Sequence, residues 1–413
     1  MVEMPLKQRA LFLIALLFLP LAIHCKVLLG VDRFFQENQW EKLKGKRIGL
    51  ITNHTGVASD LSPTWQLFYH HPEIKLVALF SPEHGFSGLQ RAGEKVDTTS
   101  LQKIPVHSLY GKTRRPTKEM LQGVDVLVYD MQDIGCRSYT YISTLFMAME
   151  EAAQDPKIPL IVLDRPNPLG GMIVEGPMLK PECRSFIGYI NVPYRYGMTV
   201  GELATYFNEE YHIQCPLEVV RMTGWRREMH FGNTELTWIP TSPNIPEADT
   251  PFYYAATGIL GELDIVSIGI GTPLPFKIIG APWIQAEELC KQLELLHLPG
   301  VSFVPFHFRP LMGPYKGEDC HGALLRFTHP QMNKVVRVQY FLINTLKKLY
   351  PKEFQQRIQS ISPEKRTFFC KVNGNTEMWD IIAHTTEFAW KLIEFQKNER
   401  ATFLQKRSRY LFY

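Results

Sequence analysis

Apolar and polar positions along the chain follow a pattern that predicts a parallel β-sheet. Short apolar runs at residues 47–52, 75–80, 124–129 and 160–163 recur at long intervals, and a weaker run lies at 217–220. Consecutive apolar residues of this length are typical of strands that are buried on both faces. The intervals are long enough for crossover helices. We therefore predict an α/β fold with a Rossmann-like, doubly wound N-terminal domain.

A proline-rich stretch at residues 238–252 separates this pattern from a different one. Its four prolines exclude regular structure through most of the stretch. Longer helical patterns follow, and the last of them, at residues 377–400, predicts a single helix. We predict a catalytic Rossmann-like domain at residues 26–250. A smaller C-terminal α/β (α+β) domain at residues 251–413 is expected to complete the cleft.

The first 25 residues have the order of a secretory signal. Lys7 and Arg9 precede an apolar run at residues 10–19, which Pro20 interrupts. The run is too short to span a bilayer, and charged residues before an apolar run are typical of signals. We expect a signal peptide or a lipoprotein signal with Cys25 as the lipidated residue, and an uncleaved membrane anchor is the alternative. The expected location is periplasmic, envelope-associated or extracellular.

Composition and motifs exclude several classes of function. Apolar residues make up 45% of the chain and charged residues 21%, and the net charge of +4 predicts no binding of nucleic acid. The stretch Gly111-Lys-Thr113 lacks the earlier glycine of a phosphate-binding loop, and residues 269–271 lack the third glycine of a dinucleotide site. No cysteine pair or histidine spacing indicates a metal. We expect neither nucleotide, cofactor nor metal.

Polar side chains follow four of the predicted strands at the point where each strand ends. The carboxyl ends of parallel strands meet at one edge of a sheet, which is where open α/β folds bind ligands. We therefore expect these side chains to line one cleft. They are Asn53, Thr55, Glu83, His84, Asp130, Gln132, Asp133, Arg137, Asp164, Arg165 and Asn167.

The residues at this edge favour carboxylate chemistry. Hydrolysis of a glycosidic bond generally needs one carboxylic acid, which protonates the leaving oxygen, and a second group as nucleophile, base or orienter. Glu83 is the candidate acid, because the apolar Phe80 and Phe86 lie near it in the chain and apolar surroundings raise the pKa of a carboxyl. The second group stays open. The candidates are Asp133, Asp164, Glu175 and Glu262.

Arg137 and two tyrosines are candidates for binding the substrate. The planar guanidinium of Arg137 suits a carboxylate on an anionic substrate. A salt bridge between Arg137 and Asp133 is the structural alternative. Tyr139 and Tyr141 offer aromatic faces and hydroxyl groups to a sugar.

Five motifs resemble those of the NamZ-type exo-β-N-acetylmuramidases. The resemblance runs from about residue 30 to the C-terminus. It implies a glycosidase that removes N-acetylmuramic acid from the non-reducing ends of peptidoglycan or muropeptide sugars. The motifs are Ser81-Pro-Glu-His-Gly85, Ala92-Gly-Glu-Lys-Val96, Asp130-Met-Gln-Asp-Ile-Gly-Cys-Arg-Ser-Tyr-Thr-Tyr141, Asp164-Arg-Pro-Asn-Pro-Leu-Gly-Gly171 and Ser242-Pro-Asn-Ile-Pro246.

The same resemblance implies roles for individual residues. Glu83 is the main catalytic carboxylate, with His84 and Asp133 as catalytic residues beside it. Retaining, inverting and substrate-assisted mechanisms all stay open. The residues predicted to bind the substrate are Asn53, Arg137, Tyr139, Asp164, Asn167 and Glu262.

The chain departs from the family pattern at three positions. Ile265 stands where relatives commonly have asparagine, Ile270 where they have arginine, and Tyr196 where a histidine is usual. Loss of polar groups from a cleft wall removes hydrogen bonds to a sugar. Two alternatives follow: a non-catalytic envelope protein that binds cell-wall sugars, and a glycosidase that acts on another amino sugar.

Overall fold

The structure, a computed structural model, describes residues 26–329 and 334–413. The predicted signal at residues 1–25, with Cys25, lies outside the described residues. In the part of the chain that is described, no helix is long and apolar enough to cross a membrane. The six cysteines described are all buried, and none of them forms a disulfide.

A seven-stranded sheet forms the centre of the N-terminal domain. Its order is β3-β4-β2-β1-β5-β6-β7, and all neighbouring strands are parallel except β3 and β4. The predicted Rossmann-like α/β fold is therefore confirmed. The strands are β1 (Arg47–Thr52), β2 (Lys75–Ser81), β3 (Thr99–Leu101), β4 (Ile104–Ser108), β5 (Val126–Asp130), β6 (Leu160–Leu163) and β7 (Leu217–Val220).

Helices cover both faces of this sheet. Successive strand residues point to opposite faces, so that Leu127 joins one apolar cluster with Phe146 and the adjacent Val128 joins a second cluster with Phe34. Burial on both faces explains why these strands are almost wholly apolar. The helices are α1 (Gly30–Gln36), α2 (Thr64–His70), α3 (Tyr141–Ala152) and α4 (Val200–Glu210).

The C-terminal part contains a smaller antiparallel sheet of order β8-β10-β9, packed with helices. The prediction of a single helix at residues 377–400 was wrong. The chain leaves helical geometry at Thr385, which is extended, and at Gln396, which has φ 55°. The elements are α5 (Thr250–Gly261), β8 (Ile278–Ala281), α6 (Ala286–Glu294), β9 (Val301–Phe308), β10 (Cys320–Phe327), α7 (Val336–Leu349), α8 (Pro351–Ser360), α9 (Pro363–Asn373), α10 (Glu377–His384), α11 (Ala389–Glu394) and α12 (Lys397–Arg407).

Candidate active site

A tight turn after β2 places Glu83 at the carboxyl edge of the sheet. His84 and Gly85 both have positive φ, 69° and 76°. The left-handed backbone at Gly85 favours glycine, and a Cβ there would lie 2.4 Å from Oε1 of Gln90, whose side chain would have to move. The turn reverses the chain immediately beyond the strand. It thereby holds the Glu83 side chain against the start of the neighbouring helix α3.

Two hydrogen bonds fix the Glu83 carboxylate. Oε1 accepts from the backbone amide of Gly93 at 2.9 Å, and Oε2 accepts from the hydroxyl of Thr140 at 2.6 Å. Glu83 is 7% exposed, so the group is largely withdrawn from bulk water while its edge stays accessible. The sequence analysis did not identify Thr140 or the Gly93 amide. No residue-type pattern signals a backbone donor.

His84 orders the loop beside Glu83. Its Nδ1 lies 2.7 Å from the carbonyl oxygen of Gln90, and because a carbonyl only accepts, Nδ1 carries the proton. The His84 ring lies 6.5 Å from the ring of Tyr139 and 6.4 Å from that of Tyr141. The predicted grouping of Glu83, His84 and Tyr139 at one edge thus corresponds to the geometry.

Asp133 is a second buried carboxylate at this edge. Its Oδ2 accepts from the amide of Gly135 at 2.7 Å and from the hydroxyl of Tyr196, whereas Oδ1 has no hydrogen-bond partner among the described residues. Burial raises the pKa of Asp133 to about 6. The Tyr196 hydrogen bond opposes this shift because it stabilises the ionised form. Asp133 therefore keeps one oxygen free for a ligand.

Asn53 likewise keeps one polar group free. Its Oδ1 accepts from the amide of Thr55 at 3.0 Å and from the Thr55 hydroxyl at 2.6 Å, while the buried Nδ2 has no partner within the described chain. A buried donor without an acceptor is costly. A bound ligand that accepts from Asn53 would remove this cost, which agrees with the predicted role of Asn53 in substrate binding.

Tyrosines from both domains form the aromatic part of the site. The ring of Tyr139 lies 4.8 Å from that of Tyr141 and 6.4 Å from that of Tyr254. Tyr254 belongs to α5, and its hydroxyl lies 2.9 Å from Oγ of Ser138. The C-terminal domain thus contributes Tyr254 to the site, a residue that the sequence analysis missed.

Asp164 and Asn167, which were predicted to bind a sugar, form hydrogen bonds with other parts of the chain. Asp164 accepts from Thr199, from the Gly201 amide and, at 2.7 Å, from the hydroxyl of Tyr413. Asn167 donates to the carbonyl of Met198 at 2.8 Å and accepts from the Leu169 amide at 2.9 Å. Their polar atoms are occupied by other parts of the chain, so these residues shape the site from behind.

Arg137 also has a structural position. Its guanidinium is fully buried and donates to the carbonyls of Pro177 and Val192 at 2.6 and 2.7 Å. It donates further to Val372 and Asn373, at 3.2 and 2.6 Å, at the end of α9. This arrangement differs from both sequence-based interpretations, because the cation joins the two domains and no salt bridge with Asp133 occurs among the described residues. A substrate carboxylate would have to displace backbone carbonyls.

The segment that departs from the family pattern lies mainly in the apolar core. Ile265 is completely buried, and Ile270 packs partly buried against the same core. Glu262 pairs with Lys365 at 3.0 Å, and burial raises its pKa while Lys365 opposes the shift. The interpretation of Ile265 as a lost sugar contact was therefore wrong, because its side chain packs inside the domain.

The remaining carboxylate candidate is also structural. Glu175 accepts from the amides of Val336 and Arg337, at 2.9 and 2.7 Å, at the N-terminal end of α7. A carboxylate at this position is stabilised by the helix dipole. Over residues 26–329 and 334–413, no group of three or more histidine, cysteine or acidic side chains is arranged to hold a metal ion.

The fold is similar to two crystal structures of DUF1343 family proteins from Bacteroides fragilis. One has a TM-score of 0.87 and 39% sequence identity, and the match covers 94% of this chain and 99% of that chain. The other has a TM-score of 0.74 and 25% identity, with the same coverage. The fold is thus shared along almost the whole length of these chains.

Sequence comparison assigns the family. The peptidoglycan β-N-acetylmuramidase NamZ of Bacillus subtilis (strain 168) is 46% identical to this chain over 332 residues, which is 80% of each chain. The family model for the N-terminal part of the exo-β-N-acetylmuramidase NamZ matches residues 48–249, and the model for its C-terminal part matches residues 252–413. The chain therefore belongs to the NamZ family of exo-β-N-acetylmuramidases.

Proposed function

We propose that this protein is an exo-acting glycoside hydrolase that releases N-acetylmuramic acid from the non-reducing ends of peptidoglycan fragments. The observation that carries the proposal is the Glu83 carboxylate, which Thr140 and the Gly93 amide hold at the carboxyl edge of the sheet. A glycosidase needs a carboxylic acid in a fixed position beside the leaving oxygen. Membership of the NamZ family supports peptidoglycan as the substrate.

Glu83 protonates the glycosidic oxygen in this proposal, and Asp133 acts as the second carboxylate. Burial raises the pKa of both Tyr139 and Tyr141, and the charge of Asp133 adds to the shift of Tyr139 while that of Glu83 adds to the shift of Tyr141. The free Oδ1 of Asp133 then accepts a hydrogen bond from the attacking water or from the acetamido N–H of the sugar. In the first case Asp133 takes a proton from the water that attacks the anomeric carbon as the glycosidic bond breaks. In the second case the acetamido oxygen attacks that carbon, and Asp133 stabilises the positive charge that develops on the acetamido group.

The aromatic rings and Asn53 bind the sugar itself. Tyr139 and Tyr254 offer ring faces on the two sides of the domain boundary, and the Nδ2 of Asn53 donates to a sugar oxygen.

Peptidoglycan lies outside the cytoplasmic membrane, so we also propose that the protein is exported. The charged and apolar order of residues 1–25 supports export.

Purified protein and two chromogenic substrates test the activity. The β-N-acetylmuramide should release dye, whereas the β-N-acetylglucosaminide should release it at least about tenfold more slowly, since it lacks the lactyl group. Preferred release from the glucosaminide would indicate a glycosidase for another amino sugar. Binding of muropeptides without turnover at any pH would indicate the non-catalytic sugar-binding protein. Export is tested by expressing the full chain in a bacterial host and determining by mass spectrometry at which residue the mature protein begins.

A further inference from the structure

A cation beside Glu83 has no role in the proposed mechanism so far. Arg114 follows the Gly111-Lys-Thr113 stretch, in the loop after β4. Its guanidinium carbon lies 3.6 Å from the centre of the Tyr110 ring and 4.6 Å from that of the Phe186 ring. Two aromatic contacts hold the guanidinium plane in place. The stretch that lacked the features of a phosphate-binding loop thus positions an arginine.

Arg114 has no anionic partner in the described part of the chain. Its Nη1 is buried and donates to no acceptor there. The adjacent Arg115 contrasts with it, since Arg115 pairs with Glu151 at 2.6 Å and with Glu150 at 3.4 Å. A buried N–H of a charged group that lacks an acceptor is costly. The position is therefore prepared for an anion from outside the chain.

Tyr110 connects this cation to the active site. The amide of Leu109, which precedes Tyr110, donates to the carbonyl of Ser81 at 2.8 Å, so the end of β4 lies beside the turn that carries Glu83. Burial raises the pKa of Tyr110, and the charges of Glu83 and Arg114 both act on it. Arg114 is thus separated from the proposed acid by one tyrosine side chain.

We propose that Arg114 binds the carboxylate of the lactyl group of N-acetylmuramic acid and thereby selects muramic acid over glucosamine. The inference rests on the proposed function, because it assigns a substrate group to a residue of the same site. Peptide-free muramic acid differs from glucosamine only by a lactyl ether, whose carboxylate is the one anionic group of the sugar; a stem peptide bonded to the lactyl group would remove that charge. The planar fork of an arginine binds a carboxylate through two parallel hydrogen bonds. Arg137, the other candidate, has its donors occupied by carbonyls.

The test compares the chromogenic N-acetylmuramide with its methyl ester, in which the lactyl carboxylate is neutral. Wild-type protein should prefer the acid, and Arg114→Gln should lower kcat/KM for the acid about 10- to 100-fold. The same variant should leave kcat/KM for the ester within about twofold of the wild type. Turnover of the ester also shows that the variant is folded. Arg114→Lys should recover part of the preference, since it keeps the charge without the planar fork.

Two control variants locate the effect. Arg115→Gln lies next in the chain but pairs with glutamates, so its ratio of acid to ester turnover should equal that of the wild type. Arg91→Gln removes an exposed cation on the loop that contacts Glu83. An unchanged ratio in Arg114→Gln, or a ratio that changes only in Arg91→Gln, would overturn the inference.

Binding measurements separate failure of this inference from failure of the proposed function. If wild-type protein hydrolyses neither compound, calorimetry with N-acetylmuramic acid and its methyl ester still reports on Arg114. A preference for the acid that disappears in Arg114→Gln supports the assignment even without turnover. Equal affinity of the wild type for the acid and the ester refutes it.

Discussion

The hydroxyl of Thr140 donates to Oε2 of Glu83 across 2.6 Å and joins the turn after β2 to the residue that precedes α3. The amide of Gly93 binds the other oxygen of the same carboxylate. The position of the carboxyl group is therefore set by two segments that are remote in sequence. Fixed geometry of this kind is what an acid needs in order to protonate a leaving oxygen.

Glu83→Gln should lower kcat on the chromogenic N-acetylmuramide by about 10²- to 10⁴-fold. Glutamine keeps the size of the side chain and one acceptor oxygen, but it cannot supply the proton. Glu94→Gln is the matched control, since Glu94 is exposed on the adjacent loop and only accepts from the Arg91 amide. Initial rates at several substrate concentrations measure the effect. Full activity of Glu83→Gln would remove Glu83 from its assigned role.

Tyr196→Phe should move the acid limb of the pH profile of kcat/KM to higher pH. Asp133 has a pKa of about 6 because burial raises it, and the Tyr196 hydroxyl stabilises the ionised carboxylate. Removing that hydrogen bond favours the protonated form, so the pKa rises further, by up to about one unit. Rates measured from pH 4 to 8 give the limb. An acid limb at the wild-type pH would show that ionised Asp133 is not required.

Arg137→Met should destabilise the fold by at least about 3 kcal/mol, because four backbone carbonyls lose their donor. Urea unfolding gives the difference in free energy. Arg184→Met is the control, since Arg184 pairs with Glu150 at the surface and should cost less than about 1 kcal/mol. If Arg137→Met is stable and loses the preference for the acid over the methyl ester, the result would support the sequence-based prediction that Arg137 contacts the substrate.

Asp164 should contribute a fall in the free energy of unfolding as the pH rises from 4 to 6. Burial raises the pKa of Asp164 to about 6 in the folded protein, so the folded state binds more protons than the unfolded state in this range. The stabilisation from protonated Asp164 is complete below the pKa that Asp164 has in the unfolded state. It is lost as the pH rises through the pKa of Asp164 in the folded state. The maximal slope is about 1.4 kcal/mol per pH unit.

Asp164→Asn should reduce this slope, as urea unfolding at several pH values will show. Tyr413→Phe is the matched control, because it removes a donor to Asp164 without removing the titrating group. It should lower stability by about 1 kcal/mol and keep the fall with pH, which then extends to higher pH because the Tyr413 hydrogen bond lowers the pKa of Asp164. An unchanged slope in Asp164→Asn would contradict the assigned pKa.

The sheet could be predicted from sequence because burial on both faces makes its central strands continuously apolar. The edge strands β3 and β4 escaped prediction, since β4 contains Pro105 and His107 and β3 has only three half-exposed or exposed residues. Helix ends were harder still. At Gln396 the left-handed backbone that ends a predicted helix has no glycine to indicate it.

Position at a strand end predicted which residues approach the site, but it did not predict which of them face a ligand. Glu83 and Asp164 both follow strands. Only the tertiary structure shows that Asp164 accepts a hydrogen bond from the Tyr413 hydroxyl. Arg137 binds backbone carbonyls, which no pattern of residue types reveals. The sequence around Arg114 shows only an incomplete phosphate-binding motif, and no pattern of residue types indicates that Arg114 stacks on Tyr110.

The buried Arg137 has a consequence for motion. It donates to the N-terminal domain at Pro177 and Val192 and to the C-terminal domain at Val372 and Asn373. Hinged opening of the two domains would break several of these bonds at the same time, so we expect the cleft to be preformed when a sugar arrives.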